Sequence, residues 1–577
     1  MKNNYNKYPY TKIDGEIYEG WKSITSILNS RLTGVNFILS IEKYNGIRDS
    51  EVERAIALQW PNAEIVYTKL MFKSSEDIQI MTNKYVGEDE IFGFLSSMDI
   101  LDYFDIVKMT EFRDRIFKRR NPIIIYGPGT SYLCDNPDLT IYLDMTRWEL
   151  QMRFRKHEVS ALGFDNSDES ASRQYKRGYF NDWPVLDKHK QSLFNRIDFW
   201  IDTKLEDYPK MISKDTFYRC IDSLTNRPFR LVPFFDPSPW GGKWMEEKFC
   251  LDKKQANYGW CFDCVPEENS LLFKINNQFF EMPSMNLVFI KAKELLGDKI
   301  LKHFGRNFPI RFDFLDTIGG GNLSLQVHPT NDYIKSCFGM SYTQDESYYL
   351  LDAEQDAKVY LGLKKDIDPR KMISELEEAH RDNKNFKPDK YVNCIPAKKH
   401  DHFLIPNGTI HCSGAGSMVL EISSTPSIFT FKMWDWQRLG LDGKPRSINI
   451  RHATSVIDWN RDTDFVNTEL VNCVIPIAEG DGWKEEKTGL HNIEFIETRR
   501  HWFTKKVEHN TNGTVNVLNL IEGESAIVES PDDQFEPYVV HYAETFIIPA
   551  CVGKYTIRPF DSSRKELMGT IKAYVRL

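Results

Sequence analysis

The stretch Gly319-Gly320-Gly321-Asn322-Leu323-Ser324-Leu325-Gln326-Val327-His328-Pro329 decides how the rest of the chain is read. Three glycines lead into a short run of alternating character, and a proline closes it. Because strand side chains alternate, Gln326 and His328 project from one face, roughly 7 Å apart along the strand, while Leu325 and Val327 face the other way. An imidazole beside an amide on an inward face is either a satisfied core pair or half of a metal site. The neighbouring sequence has to choose. Further on, Pro406-Asn407-Gly408-Thr409-Ile410-His411 is a turn that delivers a second imidazole onto a strand, and between the two lies Gln344-Asp345-Glu346-Ser347-Tyr348-Tyr349-Leu350-Leu351, whose Glu346 supplies a carboxylate. Two imidazoles, one carboxylate and one amide oxygen make a mixed N/O set without thiolate. Such a set suits Zn²⁺, with Fe²⁺ and Mn²⁺ left open by ligand type alone.

Around this centre, from residue 226 to the C-terminus, short β-type runs alternate with Gly, Pro, Asn and Asp turns, which is the texture of all-β sandwiches or barrels. One helical insertion is legible. Asp368 can cap it, Pro369 suits its first turn, and Met372, Leu376 and Ala379 fall on one face. Residues 16–225 instead alternate apolar runs such as Ile123-Ile124-Ile125-Tyr126 with helical segments, the pattern of an α/β domain with a parallel sheet. Residues 1–15 read as a polar lead-in. The expected fold is therefore multidomain α+β, in keeping with a length of 577 residues that exceeds what one core supports.

Composition narrows the function classes. A net charge of −9 with acidic and basic residues interspersed argues against nucleic acid as a partner. The polar N-terminus and the absence of a long apolar run argue against a membrane and predict a cytoplasmic protein. Ten scattered cysteines suit reduced thiols, and the isolated Cys261-Phe262-Asp263-Cys264 pair reads as two structural, partly buried thiols.

Asn121-Pro122-Ile123-Ile124-Ile125-Tyr126-Gly127-Pro128-Gly129-Thr130-Ser131 is a strand followed by a Gly-rich turn, where backbone N–H groups can meet a phosphate. No Lys follows these glycines and GxxxxGK[ST] is absent from the chain, so a nucleotide lacks its charged anchor. Thr140-Ile141-Tyr142-Leu143-Asp144, followed by the Arg-bearing segment Arg147 to Arg155, loosely resembles the later half of a P-loop nucleoside kinase.

The order Gln326-Val327-His328-Pro329, then Glu346 ahead of an aromatic–aliphatic run, then Ile405-Pro406-Asn407-Gly408-Thr409-Ile410-His411, then Gly414-Ala415-Gly416-Ser417-Met418-Val419-Leu420-Glu421-Ile422 is similar to class I mannose-6-phosphate isomerase, a cupin family. Similarity extends from Pro239-Trp240-Gly241-Gly242 through Phe308-Pro309 to Thr430–Arg438 and Asp442–Arg446, covering residues 230–455. The resemblance implies a jelly-roll domain over 226–460, a smaller cupin-like domain without metal over 461–577, and one Zn²⁺ per chain held by Gln326, His328, Glu346 and His411. It implies interconversion of mannose 6-phosphate and fructose 6-phosphate, with Lys432 and Arg438 as candidate catalytic cations and Trp240, Arg311, Lys364 and Asp435 as candidate substrate contacts. Three departures stand out. Lys432 replaces a family Arg, trading a planar fork for a point charge, while Gln344 and Asp313 stand where lysines are usual. Those losses keep open an alternative, a metal-binding sugar-recognition or regulatory cupin without isomerase activity.

Two further histidine groups are weighed as bystanders. His400 and His402 precede the turn at Pro406 and are expected to face solvent, and His491, His501, His509 and His541 show no ligand spacing.

Overall fold

The computed structural model describes residues 4–34, 36–117, 121–426, 428–561, 563 and 566–576. The first three residues of the lead-in lie outside this set. The chain forms two compact units, one made of Tyr10–Ser223 with Ser270–Ile290, the other of Met1–Pro9, Leu224–Asn269 and Lys291–Leu577.

In the first unit a seven-stranded sheet runs in the order Ile17–Glu19, Lys210–Ser213, Phe199–Asp202, Leu139–Asp144, Ile38–Lys43, Ile123–Tyr126, Glu64–Tyr67. The last five are parallel. Ile123–Tyr126 and Leu139–Asp144 are buried along their whole length, as strands must be when helices cover both faces of a parallel sheet. A separate three-stranded sheet joins Thr11–Ile13 to the hairpin Ser270–Ile275 and Gln278–Pro283. Residues 270–290 thus belong with the α/β unit, beyond the boundary at residue 225 drawn from sequence. A β-run looks the same whichever sheet it joins, so texture alone could not place this hairpin.

In the second unit four sheets form two sandwiches. The first pairs a six-stranded sheet (His402–Ile405, Glu346–Ala353, Ser417–Ser424, Ile310–Asp316, Trp260–Cys264, Phe234–Asp236) with a five-stranded one (Val392–Pro396, Lys358–Leu363, His411–Ser413, Leu325–Val327, Phe431–Trp434). The helix Pro369–Arg381 interrupts the five-stranded sheet between Lys358–Leu363 and Val392–Pro396. Asp368 accepts from the backbone N–H groups of Arg370 and Lys371, and Met372, Leu376 and Ala379 form its buried face. The second sandwich pairs a six-stranded sheet (Ile475–Gly480, Trp483–Gly489, Ile496–Phe503, Met568–Val575, Asn516–Glu522, Thr545–Ile548) with a four-stranded one (Val507–Asn510, Lys554–Pro559, Ser525–Glu529, Tyr538–His541). Phe503, Leu518, Leu520, Val528, Ile557 and Met568 fill the space between them.

The lead-in is less detached than its polarity predicts. Tyr5 is buried, stacks on Phe249 at 4.0 Å, and donates to Asp263 at 2.6 Å. Arg230 pairs with the same Asp263 at 3.3 Å and with Glu544 at 2.7 Å. One aromatic side chain is enough to recruit a polar segment into a core. All ten cysteines are free, and Cys261 and Cys264 are wholly rather than partly buried. Among the described residues no helix is long and apolar enough to cross a membrane.

Candidate metal centre

Backbone contacts bring the quoted motifs together. Gly408 has φ 81°, and a Cβ there would lie 2.9 Å from the Val456 carbonyl oxygen, so the turn tolerates glycine best. Its N–H donates to the carbonyl of His328 at 3.0 Å. Asn407 donates through its backbone N–H and its side-chain amide to Asp345 at 2.7 and 2.8 Å, which ties the turn to the strand that starts with Glu346. His411 then pairs directly across the ladder with Gln326.

The result is a buried, convergent group. His328 Nε2 lies 3.0 Å from Glu346 Oε2, and His411 Nε2 lies 2.8 Å from Glu346 Oε1. The Gln326 amide nitrogen is 3.2 Å from His411 Nε2, and a half-turn of that amide presents its oxygen to the same point. Outside the group, His328 Nδ1 meets the Phe429 carbonyl at 3.0 Å and His411 Nδ1 meets the Thr409 carbonyl at 2.9 Å. A ring that donates through Nδ1–H aims the Nε2 lone pair inward. Burial works to raise the Glu346 carboxyl, but His328 and His411 outweigh it and hold it well below the usual range. Burial works to lower His328, and Glu346 outweighs it in the other direction.

The donor set fits a cation. His328 Nε2 and Glu346 Oε1 are buried without a hydrogen-bond partner, and two imidazole lone pairs facing two carboxylate oxygens repel unless positive charge lies between them. Among the described residues, His328, Glu346 and His411 alone form such a group, with ligand atoms all within 4.8 Å of one another. That spread suits a tetrahedral ion with ligands at about 2.0–2.2 Å.

Behind the group, Gln344 donates to Glu346 at 3.0 Å and to Glu421 at 3.4 Å. Arg311 is 3.6 Å from Asp313, and both are buried. Burial pushes the Asp313 carboxyl up to about 7, with Arg311 opposing and Glu346 adding, and burial with Asp313 and Glu346 nearby pushes Glu421 well above its usual range. Sequence reasoning singled out neither Glu421 nor this buried acidic tier. The alternation Glu421-Ile422-Ser423 within an otherwise apolar strand was the available signal.

The other candidates divide. Lys432 stands opposite Gln326 in the ladder and so shares its face. Arg438 donates to Asp435 at 2.6 Å and to the Asn322 carbonyl at 2.7 Å. Arg446, which closes the Asp442–Arg446 segment similar to the family's but was not named as an individual site residue, donates to the other oxygen of Asp435 at 2.8 Å. Asp435 itself is buried and takes a further bond from Ser324 at 2.9 Å. It orders two arginines around the strand entry. Trp240 is not brought to the site as a contact surface. It is 3% exposed and packs edge-on against Trp260, while its carbonyl accepts from Gly321 at 2.9 Å. A Cβ at Gly320 would fall 2.3 Å from that same carbonyl oxygen, so Trp240-Gly241-Gly242 and Gly319–Gly321 fit backbone to backbone and set the strand entry. Arg311 is likewise buried in its acidic tier, and Lys364 is exposed with its ammonium on the Asp389 carbonyl. His402, expected to face solvent, is 0% exposed and held by burial near pKa 3. Its neighbour His400 lies 3.1 Å from Glu522.

In the α/β unit the Gly-rich turn is already engaged. Gly129 N–H, Ser131 N–H and the Thr130 hydroxyl donate to the Glu42 carboxylate at 2.9, 3.0 and 2.8 Å, and His189 Nε2 lies 3.3 Å from both of its oxygens. Where the sequence suggested a phosphate, the structure supplies a side chain.

Over residues 20–226 the chain matches a family model described as a domain of unknown function, DUF8485. The kinase-like resemblance of that region stays an expectation from sequence. Over 262 residues the chain is 23% identical to the mannose-6-phosphate isomerase ManA of Bacillus subtilis (strain 168), covering 43% of this chain and 78% of that protein. It is 27% identical over 222 residues to the mannose-6-phosphate isomerase of Streptococcus mutans serotype c, covering 38% and 64%. Among solved structures, the mannose 6-phosphate isomerase from Bacillus subtilis aligns with 60% of this chain and 99% of its own, at 18% identity and a TM-score of 0.47. The relatives found by sequence are thus mannose-6-phosphate isomerases.

Proposed function

We propose that the first sandwich is a zinc-dependent mannose-6-phosphate isomerase of cupin type, with Gln326, His328, Glu346 and His411 as the ligands. One observation carries the reading: three ligand side chains from distant parts of the sequence converge, buried, with their lone pairs facing one point. The names of the sequence relatives support it. When bound, Zn²⁺ supplies Lewis acidity that polarises the sugar oxygens at C1 and C2. Lys432, on the ligand face beside Gln326, supplies a positive charge for the oxygen that becomes anionic as a proton moves between those carbons. Arg438 and Arg446, held in place by Asp435, supply the guanidinium groups at the strand entry that suit a phosphate.

The test is an assay of the purified, zinc-loaded chain against mannose 6-phosphate and free mannose. Conversion of the phosphate ester to fructose 6-phosphate, without turnover of free mannose, is the expected result. Stoichiometric zinc with no turnover of either sugar overturns it. That outcome would favour a metal-binding sugar-recognition protein, the reading favoured by Gln344, which stands in place of a family lysine and spends its amide on Glu346 and Glu421.

A further inference from the structure

The inner wall of the second sandwich carries a polar tier that the proposed reaction does not use. His501 and Thr570 are cross-strand neighbours, Arg499 and Lys572 form the next row, and all four share the face that bears Phe503 and Met568 of the core. His509 enters from the four-stranded sheet and meets His501 with ring centroids 4.5 Å apart. His501, His509, Thr570 and Lys572 are 2, 6, 0 and 8% exposed. Sandwich interiors seldom hold four such groups unless they have partners.

Much of this hydrogen-bonding capacity is unspent, although His501 Nε2 lies 3.4 Å from Glu485 Oε1. His501 Nδ1, His509 Nε2 and the Thr570 hydroxyl make no hydrogen bond, and the Lys572 ammonium lies 5.6 Å from the Tyr574 ring, with the Glu485 and Glu497 carboxylates acting on its charge from beyond direct contact. The carboxylates nearby are committed. Arg499 donates to Glu497 at 2.6 Å and to Glu485 at 3.0 Å, and Tyr574 donates to Glu497 at 2.6 Å. His501, whose Nε2 faces the Glu485 carboxylate, is left with an Nδ1 lone pair, so the unspent donors are the Lys572 ammonium and the Thr570 hydroxyl, with His509 Nε2 beside them. A metal is not the complement, because the ligand atoms of His501, His509 and Glu485 do not gather about one point as those of the first sandwich do.

We infer that the polar end of the second sandwich binds a small oxyanion, a phosphate- or carboxylate-bearing molecule, through Lys572, Thr570 and His509. A dry, low-dielectric wall strengthens such charge-assisted bonds. Burial depresses the Lys572 ammonium to about 8, with Glu485 opposing and Arg499 adding. No carboxylate among the described residues forms a direct ion pair with that ammonium, and a bound anion would supply one.

The experiment is calorimetric titration of the full chain with inorganic phosphate and, separately, with succinate, comparing wild type with Lys572→Gln, Lys572→Arg and Thr570→Val. Wild type is expected to bind at least one anion, Lys572→Gln to weaken that binding tenfold or more, Lys572→Arg to restore most of it, and Thr570→Val to weaken it severalfold. Binding of phosphate alone assigns a phosphate-bearing ligand, and binding of succinate alone a carboxylate. Isomerase activity should not change in Lys572→Gln, which separates this site from any phosphate held in the first sandwich. The inference is overturned if wild type binds neither anion, or if Lys572→Gln and Thr570→Val both bind as wild type does.

Discussion

Two buried carboxylates in this chain each sit against imidazole, Glu42 in the α/β unit and Glu346 in the first sandwich, yet they do opposite things. Glu42 receives two backbone N–H groups and a hydroxyl besides His189. Burial works to raise its carboxyl, but His189 and those donors hold it below its ordinary value. Its charge is answered by the protein. Glu346 meets the Nε2 lone pairs of two histidines whose Nδ1 positions are already spent on carbonyls. What separates a structural lock from the proposed metal centre is therefore not the residue types but how many N–H and O–H donors surround the carboxylate.

The largest effect should follow from His411→Ala. Removing one of the four proposed ligands is expected to lower zinc affinity by about 100-fold or more, since even loss of an outer partner costs 10–100-fold, and isomerase activity should fall with it. Zinc content, thermal midpoint and rate measured on one preparation decide the matter. If His411 were a packed core residue like His402, the substitution would lower the midpoint and leave zinc unchanged.

Glu42→Gln should act on stability alone. The amide keeps the shape but loses the charge that four donors are aimed at, so a cost of about 2–4 kcal/mol is expected, read by chemical denaturation, with zinc content unaltered. The pH dependence has a definite sign. A carboxyl whose folded pKa lies below its ordinary value of 4.5 contributes stability that is present above 4.5 and is lost as pH falls through the folded pKa. The gap between wild type and Glu42→Gln should therefore close as the solution is made more acid than 4.5. A gap that stays constant through that range would show that shape, not charge, holds the loop. His189→Asn, which removes the longest contacts at 3.3 Å, should cost less, about 1–2 kcal/mol.

Much of the first sandwich was legible because its signals are local. Alternation put Gln326 and His328 on one face, a Pro-Gly turn announced His411, and Asp368-Pro369 with Met372, Leu376 and Ala379 marked a helix whose cap and buried face are those observed. What sequence could not show depends on contacts between distant segments. Trp240 looked like a contact for substrate because it stands in a motif, but its carbonyl serves Gly321. Strand parity puts Arg311 and Asp313 on one face, yet parity does not reveal that both are buried near Glu421. His501 and His509 carry no ligand spacing, and they meet only because two sheets stack. Glu42 lies far in sequence from the Gly129–Ser131 turn it engages, so a turn with free N–H groups and a turn with occupied ones read alike.

An effect as small as that of His189→Asn tests whether the Glu42 lock is a sum of bonds or one network. Thr130→Val keeps the volume and the β-branch while deleting the hydroxyl that donates to Glu42 at 2.8 Å and also contacts Ser40. Gly129 N–H, Ser131 N–H and His189 remain on the carboxylate, so neither oxygen of Glu42 is left bare. Only the Ser40 hydroxyl loses its neighbour. If the bonds simply add, the cost is that of one neutral donor to a charged acceptor, about 1–2 kcal/mol, and less than that of Glu42→Gln. A double-mutant cycle with Glu42→Gln should then return a coupling no larger than that single bond. A cost equal to Glu42→Gln would mean that the turn collapses when any donor is lost. In that case donor count would no longer distinguish the lock from the metal centre, and the rigidity of the turn would have to replace it.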